Sequence, residues 1–249
     1  MNKVIPTDEH VFMSLVGPSG SGKTTLLYKL LTLPVFQPRY QSIVFFYQHF
    51  QHTYEKLRQD VAEIEFVQCI DFDLIHNSFS SDGKRRLLIF DDFSEEILKS
   101  REFTRISTAG RHLGLHVLYI KHNLFHKSPI GRDVELQLTH IVLFQSPRDI
   151  NQIEHLGQQL GKQKFVSLCY KDATSKPYGF LMIDLSPKTL DIFRFCTNLE
   201  PTIFYLPSEK ARITEIDDEF TTNYYAAAFQ ESYCGRPVGN VEEMRGRIY

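Results

Sequence analysis

The sequence lacks the features of a membrane-spanning or secreted protein. Its longest apolar runs, such as residues 87–90 and 141–144, are far shorter than the roughly 20 residues that a membrane helix needs. Nothing near the N-terminus has the basic start and apolar centre of a secretory signal. We therefore expect no membrane segment and no targeting segment.

Cysteine is scarce, and neither sign of charge is in large excess. The four cysteines, at positions 69, 169, 196 and 234, are far apart and form no CxxC pair, which predicts free thiols in a reducing compartment. The 28 Lys and Arg against 30 Asp and Glu give a net charge of −2. Because no overall positive field draws this chain to nucleic acid, any such contact must be local.

The composition is that of a folded α/β protein. Hydrophobic residues make up 42% and charged residues 23% of 249 residues, which excludes disorder as the main state. Apolar β-rich runs alternate with helical stretches, and this order predicts a mostly parallel sheet flanked by helices. Strands are predicted at 11–16, 42–47, 64–67, 87–90, 116–120 and 140–144, and helices at 24–33, 54–61, 94–112 and 148–160.

The C-terminal part has a different pattern. Residues 165–170 and 178–183 flank a turn-rich segment and predict an antiparallel hairpin at the sheet edge. A loop is predicted around residues 129–131. Residues 208–249 are acidic and broken by glycine and proline, which predicts an extended tail after a domain spanning residues 1–207.

A phosphate-binding loop lies between the first strand and the first helix. The sequence GPSGSGKT fits GxxxxGK[ST] in the context that this motif requires. Backbone N–H groups and a lysine there bind the phosphates of ATP, and the hydroxyl after the lysine holds Mg²⁺. The predicted nucleotide-binding residues are Gly17, Pro18, Ser19, Gly20, Ser21, Gly22, Lys23, Thr24 and Thr25.

A pair of acids follows the strand at 87–90. A P-loop protein needs a carboxylate on the metal, and Asp91 fits this role, with Thr24 as the second metal ligand. Asp92 points to the other side of the strand end, where it is able to orient the attacking water. The alternative is that Asp92 caps the next helix. Two predicted strands lie between the two motifs, as in additional-strand ATPases, in which the second acid is catalytic.

Four segments resemble one known family, the viral DNA-packaging ATPases of the FtsK–HerA superfamily, in their poxvirus-type and Maverick/Polinton or virophage-like branch. They are GPSGSGKTT at 17–25, LLIFDD at 87–92, AGRHLGLHVLYIKHNLFH at 109–126 and HIVLFQSPRDINQI at 140–153. The resemblance covers roughly residues 11–160. It implies an ATP-hydrolysing motor that works as a homo-oligomeric ring and packages double-stranded DNA into a viral capsid.

The resemblance also implies further site residues. His122 and Asn123 stand where the family has a polar sensor of the γ-phosphate, usually a glutamine. An arginine from the neighbouring subunit is expected beside the γ-phosphate, with Arg111 in the GRH turn first and Arg148 in the PRD segment second. The ordinary alternatives are loop polarity for the sensor residues and surface ion pairs for the arginines.

The remaining expectations concern partners. Backbone contacts to DNA require local basic residues, for which Lys121, Lys127 and Arg132 form one candidate set and Lys162 and Lys164 another. A capsid or vertex protein is the expected protein partner, and a virus-infected cell or virion the expected location. A nucleotide kinase and an assembly ATPase that does not move DNA are the alternative functions.

Overall fold

A computed structural model of the chain describes residues 3–71, 75, 83–93, 100–110, 114–125 and 129–206. Strands and helices alternate through this part of the chain, as the sequence predicts. The strands are β1 (Ile5–Pro6), β2 (Phe12–Val16), β3 (Phe36–Gln37), β4 (Ser42–Tyr47), β5 (Ile64–Gln68), β6 (Arg86–Asp91), β7 (Leu115–Lys121), β8 (His140–Phe144), β9 (Phe180–Asp184), β10 (Phe195–Thr197) and β11 (Ile203–Phe204). The helices are α1 (Lys23–Thr32), α2 (His52–Asp60), α3 (Arg101–Ala109), α4 (Pro129–Glu135), α5 (Ile150–Gln159), α6 (Gln163–Ala173) and α7 (Asp191–Arg194).

Among the described residues, nine strands form one large sheet in the order β11-β10-β9-β8-β2-β7-β6-β4-β5. The six strands from β8 to β5 are parallel, whereas β9, β10 and β11 run antiparallel to their neighbours. Strand β7 lies between β2 and β6. The predicted mostly parallel sheet is therefore confirmed. The strand that lies between the phosphate-loop strand and the acidic strand is β7, which follows both motifs in the chain, whereas the two strands of this sheet between the motifs, β4 and β5, lie beyond β6.

Strand register brings the functional segments to one edge of the sheet. Val16 at the end of β2 pairs with Lys121 of β7 and with Leu143 of β8. Asp91 at the end of β6 pairs with Tyr47 at the end of β4. Because parallel strands have their carboxyl ends at the same edge, the residues that follow β2, β4, β6, β7 and β8 lie together.

The core lies on both faces of the sheet. In β6, Leu87 and Ile89 pack with the α1 and α2 side, whereas Leu88 and Phe90 pack with the α3 side. All four side chains are fully buried, as expected for a central strand of a parallel sheet covered on both faces. The ring of Phe103 in α3 lies edge-on to Phe90 at 5.4 Å.

The predicted hairpin is wrong in its first strand, because residues 165–170 lie within α6. The buried side chains of α6 are Val166, Cys169, Tyr170 and Ala173, a helical spacing that places them on one face. The antiparallel edge does exist, but it begins at β9, which pairs with β8 on one side and with β10 on the other.

The loop predicted around residues 129–131 is also wrong, because α4 begins at Pro129. Proline suits the first position of a helix, where its missing N–H has no intrahelical partner. The predicted tail at 208–249 and the helix segment at 94–99 lie outside the described residues. Within the described ranges, no helix has the length and apolarity needed to cross a lipid bilayer.

Candidate active site

The phosphate loop is held tightly between β2 and α1. A β-carbon placed on Gly17 would lie 2.7 Å from Cβ of Phe144 in β8, so only glycine fits there without a shift of the neighbouring strand. Gly22 has a φ of 101°, a conformation that side-chain-bearing residues rarely adopt. Ser21 Oγ is shut off from solvent and has no hydrogen-bond partner among the described residues. The loop therefore presents a polar atom that a phosphate oxygen would satisfy.

Lys23 starts α1 and folds back over the loop. Its Nζ donates to the carbonyl oxygens of Gly17 at 2.7 Å and Pro18 at 2.8 Å, and the residue is 7% exposed. Burial lowers the pKa of the ammonium group, while the charges of Asp91 and Asp92 raise it. The ammonium thus lies above the concave loop, where a P-loop lysine meets the phosphates.

The two predicted metal ligands, Thr24 and Asp91, are linked through one side chain. The Thr24 hydroxyl donates to Oε1 of Gln51 at 3.3 Å, and Nε2 of the same glutamine donates to Oδ2 of Asp91 at 3.4 Å. The Tyr54 hydroxyl donates to this carboxylate oxygen at 2.5 Å. Residues at the start of α2 therefore hold Asp91 in place and connect it to the phosphate loop.

Asp91 is a buried carboxylate that no cation in the described part of the chain pairs with. It is 3% exposed, and no lysine, arginine or histidine of the described segments forms an ion pair with it. Burial raises its pKa, and Asp92 adds to this, while the hydrogen bond from Tyr54 and the charge of Lys23 lower it. A buried carboxylate that lacks a counter-ion is a site at which a cation binds favourably.

Asp92 and His122 are in contact, each directly after one of the neighbouring strands β6 and β7. Asp92 has a φ of 66°, which turns the chain just after β6, and its Oδ1 lies 3.3 Å from Nε2 of His122, just after β7. Both side chains are partly open to solvent. The structure thus brings the predicted second acid into contact with the predicted sensor, and aspartate tolerates this left-handed conformation better than most residues.

The other predicted site residues are placed less closely. Asn123 follows His122 and is exposed, and Arg148 is exposed in the turn after β8. The loop residues Pro18, Ser19 and Gly20 and the helix residue Thr25 are exposed at the same edge. Arg111 lies outside the described residues.

The predicted DNA contact at Lys121 is wrong. This lysine is 3% exposed, and its Nζ bonds to Oε1 of Glu135 and to the carbonyl of Leu124, both at 2.6 Å. Arg132 and Lys164 are exposed and remain candidates, whereas Nζ of Lys162 lies 3.1 Å from Asp191. Lys127 lies outside the described residues.

Sequence reasoning missed three residues at this edge: Gln51, Tyr54 and Tyr178. Gln51 and Tyr54 contact Asp91 only because β4 lies beside β6. The signal that could have found them is the order of strands in the sheet. Once β4 is placed next to β6, the segment after β4 must lie beside the acids that end β6. Tyr178 contacts Gly22 from the loop before β9, and no motif marks it.

The arrangement joins a phosphate-binding loop to a buried acid two strands away, with an unbroken chain of hydrogen bonds between them. A loop lysine, a hydroxyl and a strand-end carboxylate are the groups with which P-loop ATPases hold phosphate and metal. The fold, with β7 between β2 and β6, places this chain in the additional-strand class.

The family follows from comparison with known proteins. The chain matches the family model of the poxvirus A32 protein over residues 6–184, and it belongs to this family. The match confirms the resemblance to viral packaging ATPases of the poxvirus type.

Solved structures give the same fold. The chain is similar to the genome packaging NTPase B204 from Sulfolobus turreted icosahedral virus 2 in complex with ATP-gammaS, with 20% identity and a TM-score of 0.50 over 74% of this chain and 95% of that chain. It is also similar to B204, the DNA-packaging ATPase from Sulfolobus turreted icosahedral virus, with 15% identity and a TM-score of 0.50 over 76% of this chain and 96% of that chain. No curated protein matches.

Proposed function

We propose that this protein hydrolyses ATP to move double-stranded DNA into a viral capsid, working as a homo-oligomeric ring. The observation that carries the proposal is the convergence of Lys23, Thr24 and Asp91 at one sheet edge, in a chain of the poxvirus A32 family. The B204 proteins named above, which package genomes, have this fold.

The phosphate loop binds the triphosphate. Lys23 exchanges its two loop carbonyl partners for phosphate oxygens, and Ser21 Oγ gains the partner that it lacks among the described residues. The first N–H groups of α1 have no intrahelical acceptor and point towards an anion. The binding energy therefore comes from charge-assisted hydrogen bonds.

The residues at this edge also fit Mg²⁺. A hydroxyl from Thr24 and a carboxylate from Asp91 are the hard oxygen ligands that Mg²⁺ takes in nucleotide sites, and the burial of Asp91, which raises its pKa, favours a cation there. When bound, Mg²⁺ neutralises charge that develops on the phosphates during transfer. Gln51 and Tyr54 orient Asp91 for this role through their hydrogen bonds.

Asp92 and His122 act on the attacking water and on the γ-phosphate. Asp92 orients the water as a hydrogen-bond acceptor, and the contact with His122 links that acid to the end of β7. His122 donates a hydrogen bond to a phosphate oxygen. Asn123, exposed beside it, is a second sensor.

The ring completes the site and grips the DNA. An arginine from a neighbouring subunit, Arg111 or Arg148, contacts the γ-phosphate, an interaction that in other phosphoryl-transfer systems is worth about 10³–10⁵ in rate. Exposed Arg132 and Lys164 contact the DNA backbone without reading sequence. The expected setting is a virus-infected cell, with a capsid or vertex protein as partner.

The experiment is phosphate release from the purified protein with ATP and Mg²⁺, with and without long double-stranded DNA, at low and moderate salt. A translocase predicts turnover that DNA stimulates and that salt suppresses. Turnover that DNA leaves unchanged would support an assembly ATPase instead, and turnover that requires a small phosphate acceptor would support a kinase.

Two variants separate the roles of binding and hydrolysis. Lys23→Ala should abolish nucleotide binding, whereas Asp92→Asn should keep binding and lower turnover by about 10²–10⁴-fold. Near-normal turnover of Asp92→Asn would exclude this carboxylate from the chemistry.

Mixed assemblies of Lys23→Ala subunits with Arg111→Ala or Arg148→Ala subunits test the shared site, because an arginine that acts in trans restores turnover in the mixture.

A further inference from the structure

One exposed tyrosine lies against the phosphate loop and has no role in the site described so far. Tyr178 is 72% exposed. A β-carbon placed on Gly22 would lie 3.1 Å from Cδ1 and 3.3 Å from Cβ of Tyr178. The Tyr178 side chain therefore lies beside the last residue of the phosphate loop. Phe50 is the other exposed phenylalanine or tyrosine in the described part of the chain, and it packs near Tyr47 and Tyr54 on the Asp91 side.

The backbone of Tyr178 is held in an unfavourable conformation. Its φ is 63°, in the left-handed region that costs free energy for a residue with a bulky side chain. Such a conformation persists only when surrounding contacts impose it, and it is characteristic of functional positions.

The loop that carries Tyr178 packs against the end of α6, and α6 is hydrogen-bonded to the end of β8. Gly179 N donates to the carbonyl of Lys176 at 3.0 Å, and a β-carbon on Gly179 would lie 2.3 Å from the carbonyl oxygen of Ala173. Below the loop, the Tyr170 hydroxyl donates to the carbonyl of Phe144 and accepts from the N–H of Ser146. Phe144 also packs on Gly17. The segment that carries Tyr178 and the phosphate loop are therefore both held by the end of β8.

The position of Tyr178 relative to the acids decides its role. Asp91, Asp92 and His122 follow β6 and β7, on one side of the phosphate-loop strand β2, whereas β8 and β9 lie on the other side. Strand β9 is antiparallel to β8, so the loop before it returns to the edge where β2 ends. A nucleotide whose terminal phosphate faces the acids must extend its base away from them, towards Tyr178.

We propose that Tyr178 is the stacking surface for the nucleotide base. This inference rests on the proposed function, because it takes the phosphate loop as the triphosphate site. Stacking on an aromatic face tolerates every base, so the tyrosine adds affinity for nucleotides over free polyphosphate and selects weakly among bases. The phenol hydroxyl is not required for this role, whereas the ring is.

A tryptophan probe tests the proposal directly, because the chain has no tryptophan. In Tyr178→Trp, a non-hydrolysable ATP analogue with Mg²⁺ should quench the emission, and inorganic tripolyphosphate should leave it unchanged. The matched control is Leu136→Trp, since Leu136 is 80% exposed and follows α4. Equal quenching by the analogue and by tripolyphosphate, or none by an analogue that binds, would overturn the proposal.

Calorimetric titration gives the magnitude. Tyr178→Ala should weaken binding of the ATP analogue by about 5- to 150-fold, Tyr178→Phe should stay within about 2-fold, and both should bind tripolyphosphate as the unchanged protein does. An alanine variant that keeps full affinity for the analogue, or loses affinity for both ligands equally, contradicts a stacking role. If the unchanged protein and Lys23→Ala bound tripolyphosphate alike, the phosphate site itself would be refuted, an outcome distinct from the failure of Tyr178 alone.

Discussion

Two strands of this protein end in nearly the same sequence but have opposite surroundings. Strand β6 ends in Leu-Leu-Ile-Phe-Asp at Asp91, and β9 is Phe-Leu-Met-Ile-Asp, ending at Asp184. Both acids are buried, at 3% and 5% exposure. Burial opposes the charge of each, yet the pKa of Asp91 is raised and that of Asp184 is lowered well below its usual range.

The neighbouring hydrogen-bond partners explain the difference. Asp184 Oδ2 accepts from Lys3 Nζ at 2.9 Å and lies 3.5 Å from Nε2 of His140, and these partners outweigh the effect of burial. Asp91 has a phenol and an amide as its hydrogen-bond donors. A buried acid paired with a lysine is structural, whereas one that forms no ion pair within the described part of the chain is suited to bind a cation.

Strand direction gives the two acids these environments. Strand β9 is antiparallel to β8 and pairs Asp184 with His140, the first residue of β8. Asp184 therefore lies at the amino ends of the parallel strands, the opposite edge from the phosphate loop. Asp91 lies at the carboxyl ends, where ligands bind in open α/β sheets.

Replacement of Asp91 should give the largest effect on activity. Asp91→Asn keeps the shape of the side chain and removes its charge, so turnover should fall at least about 100-fold, while stability stays equal or rises because a costly buried charge is gone. Phosphate release and chemical unfolding measure the two effects. A large loss of stability would show that Asp91 has a structural role like that of Asp184.

Asp184→Asn should give the reverse. It removes the carboxylate charge that pairs with the buried Lys3 ammonium, a loss that typically costs about 3–5 kcal/mol of folding free energy, whereas turnover per folded molecule stays unchanged. Chemical unfolding and phosphate release at matched folded concentration test this. Reduced turnover in a fully folded variant would contradict the separation between the two acids.

The stability that Asp184 contributes should depend on pH in the acid range. Because the folded-state pKa of Asp184 is lowered, the stability that its charge contributes is present above its unfolded pKa, about 3.9, and is lost as pH falls below that value. The stability difference between the unchanged protein and Asp184→Asn should thus hold between about pH 7 and 5 and shrink below about 4. A difference that shrinks already near pH 6 would be at odds with the Lys3 pairing.

Tyr54→Phe should lower turnover less than Asp91→Asn and stability less than Asp184→Asn. It retains the ring packing on Phe45 and Phe66 and removes the hydrogen bond to Asp91. We expect a loss of about 1–3 kcal/mol in stability and a fall in turnover of a few-fold, because Gln51 still contacts the carboxylate. Tyr54→Leu, which loses the packing as well, serves as the comparison, and equal effects of the two variants would show that the hydrogen bond contributes nothing.

Sequence predicted the central sheet well, for a physical reason. Strands buried on both faces read as continuous apolar runs, and the runs at 42–47 and 140–144 match β4 and β8 residue for residue. Residues 165–170 were misread because their β-branched and aromatic content outweighed a helical spacing that only the buried set Val166, Cys169, Tyr170 and Ala173 makes plain.

The candidate site was predictable as far as its motifs extend. The phosphate loop, Asp91 and Asp92 follow from local patterns, because each lies directly after its own strand. Gln51, Tyr54 and Tyr178 do not, because their contacts depend on which strands are neighbours and on the direction of β9. The likeness between the ends of β6 and β9 has the same lesson, since strand direction is a property of the fold and not of the pattern.

The measurement that tests the central claim most directly is thermal unfolding with Mg²⁺ and a non-hydrolysable ATP analogue, added singly and together, for the unchanged protein and Asp91→Asn. A ligand that binds the folded state raises the unfolding temperature. If Asp91 binds the cation together with the nucleotide, the two ligands added together should stabilise the unchanged protein by more than the sum of their separate effects. Asp91→Asn should lose this excess. The same excess in both proteins would contradict the account.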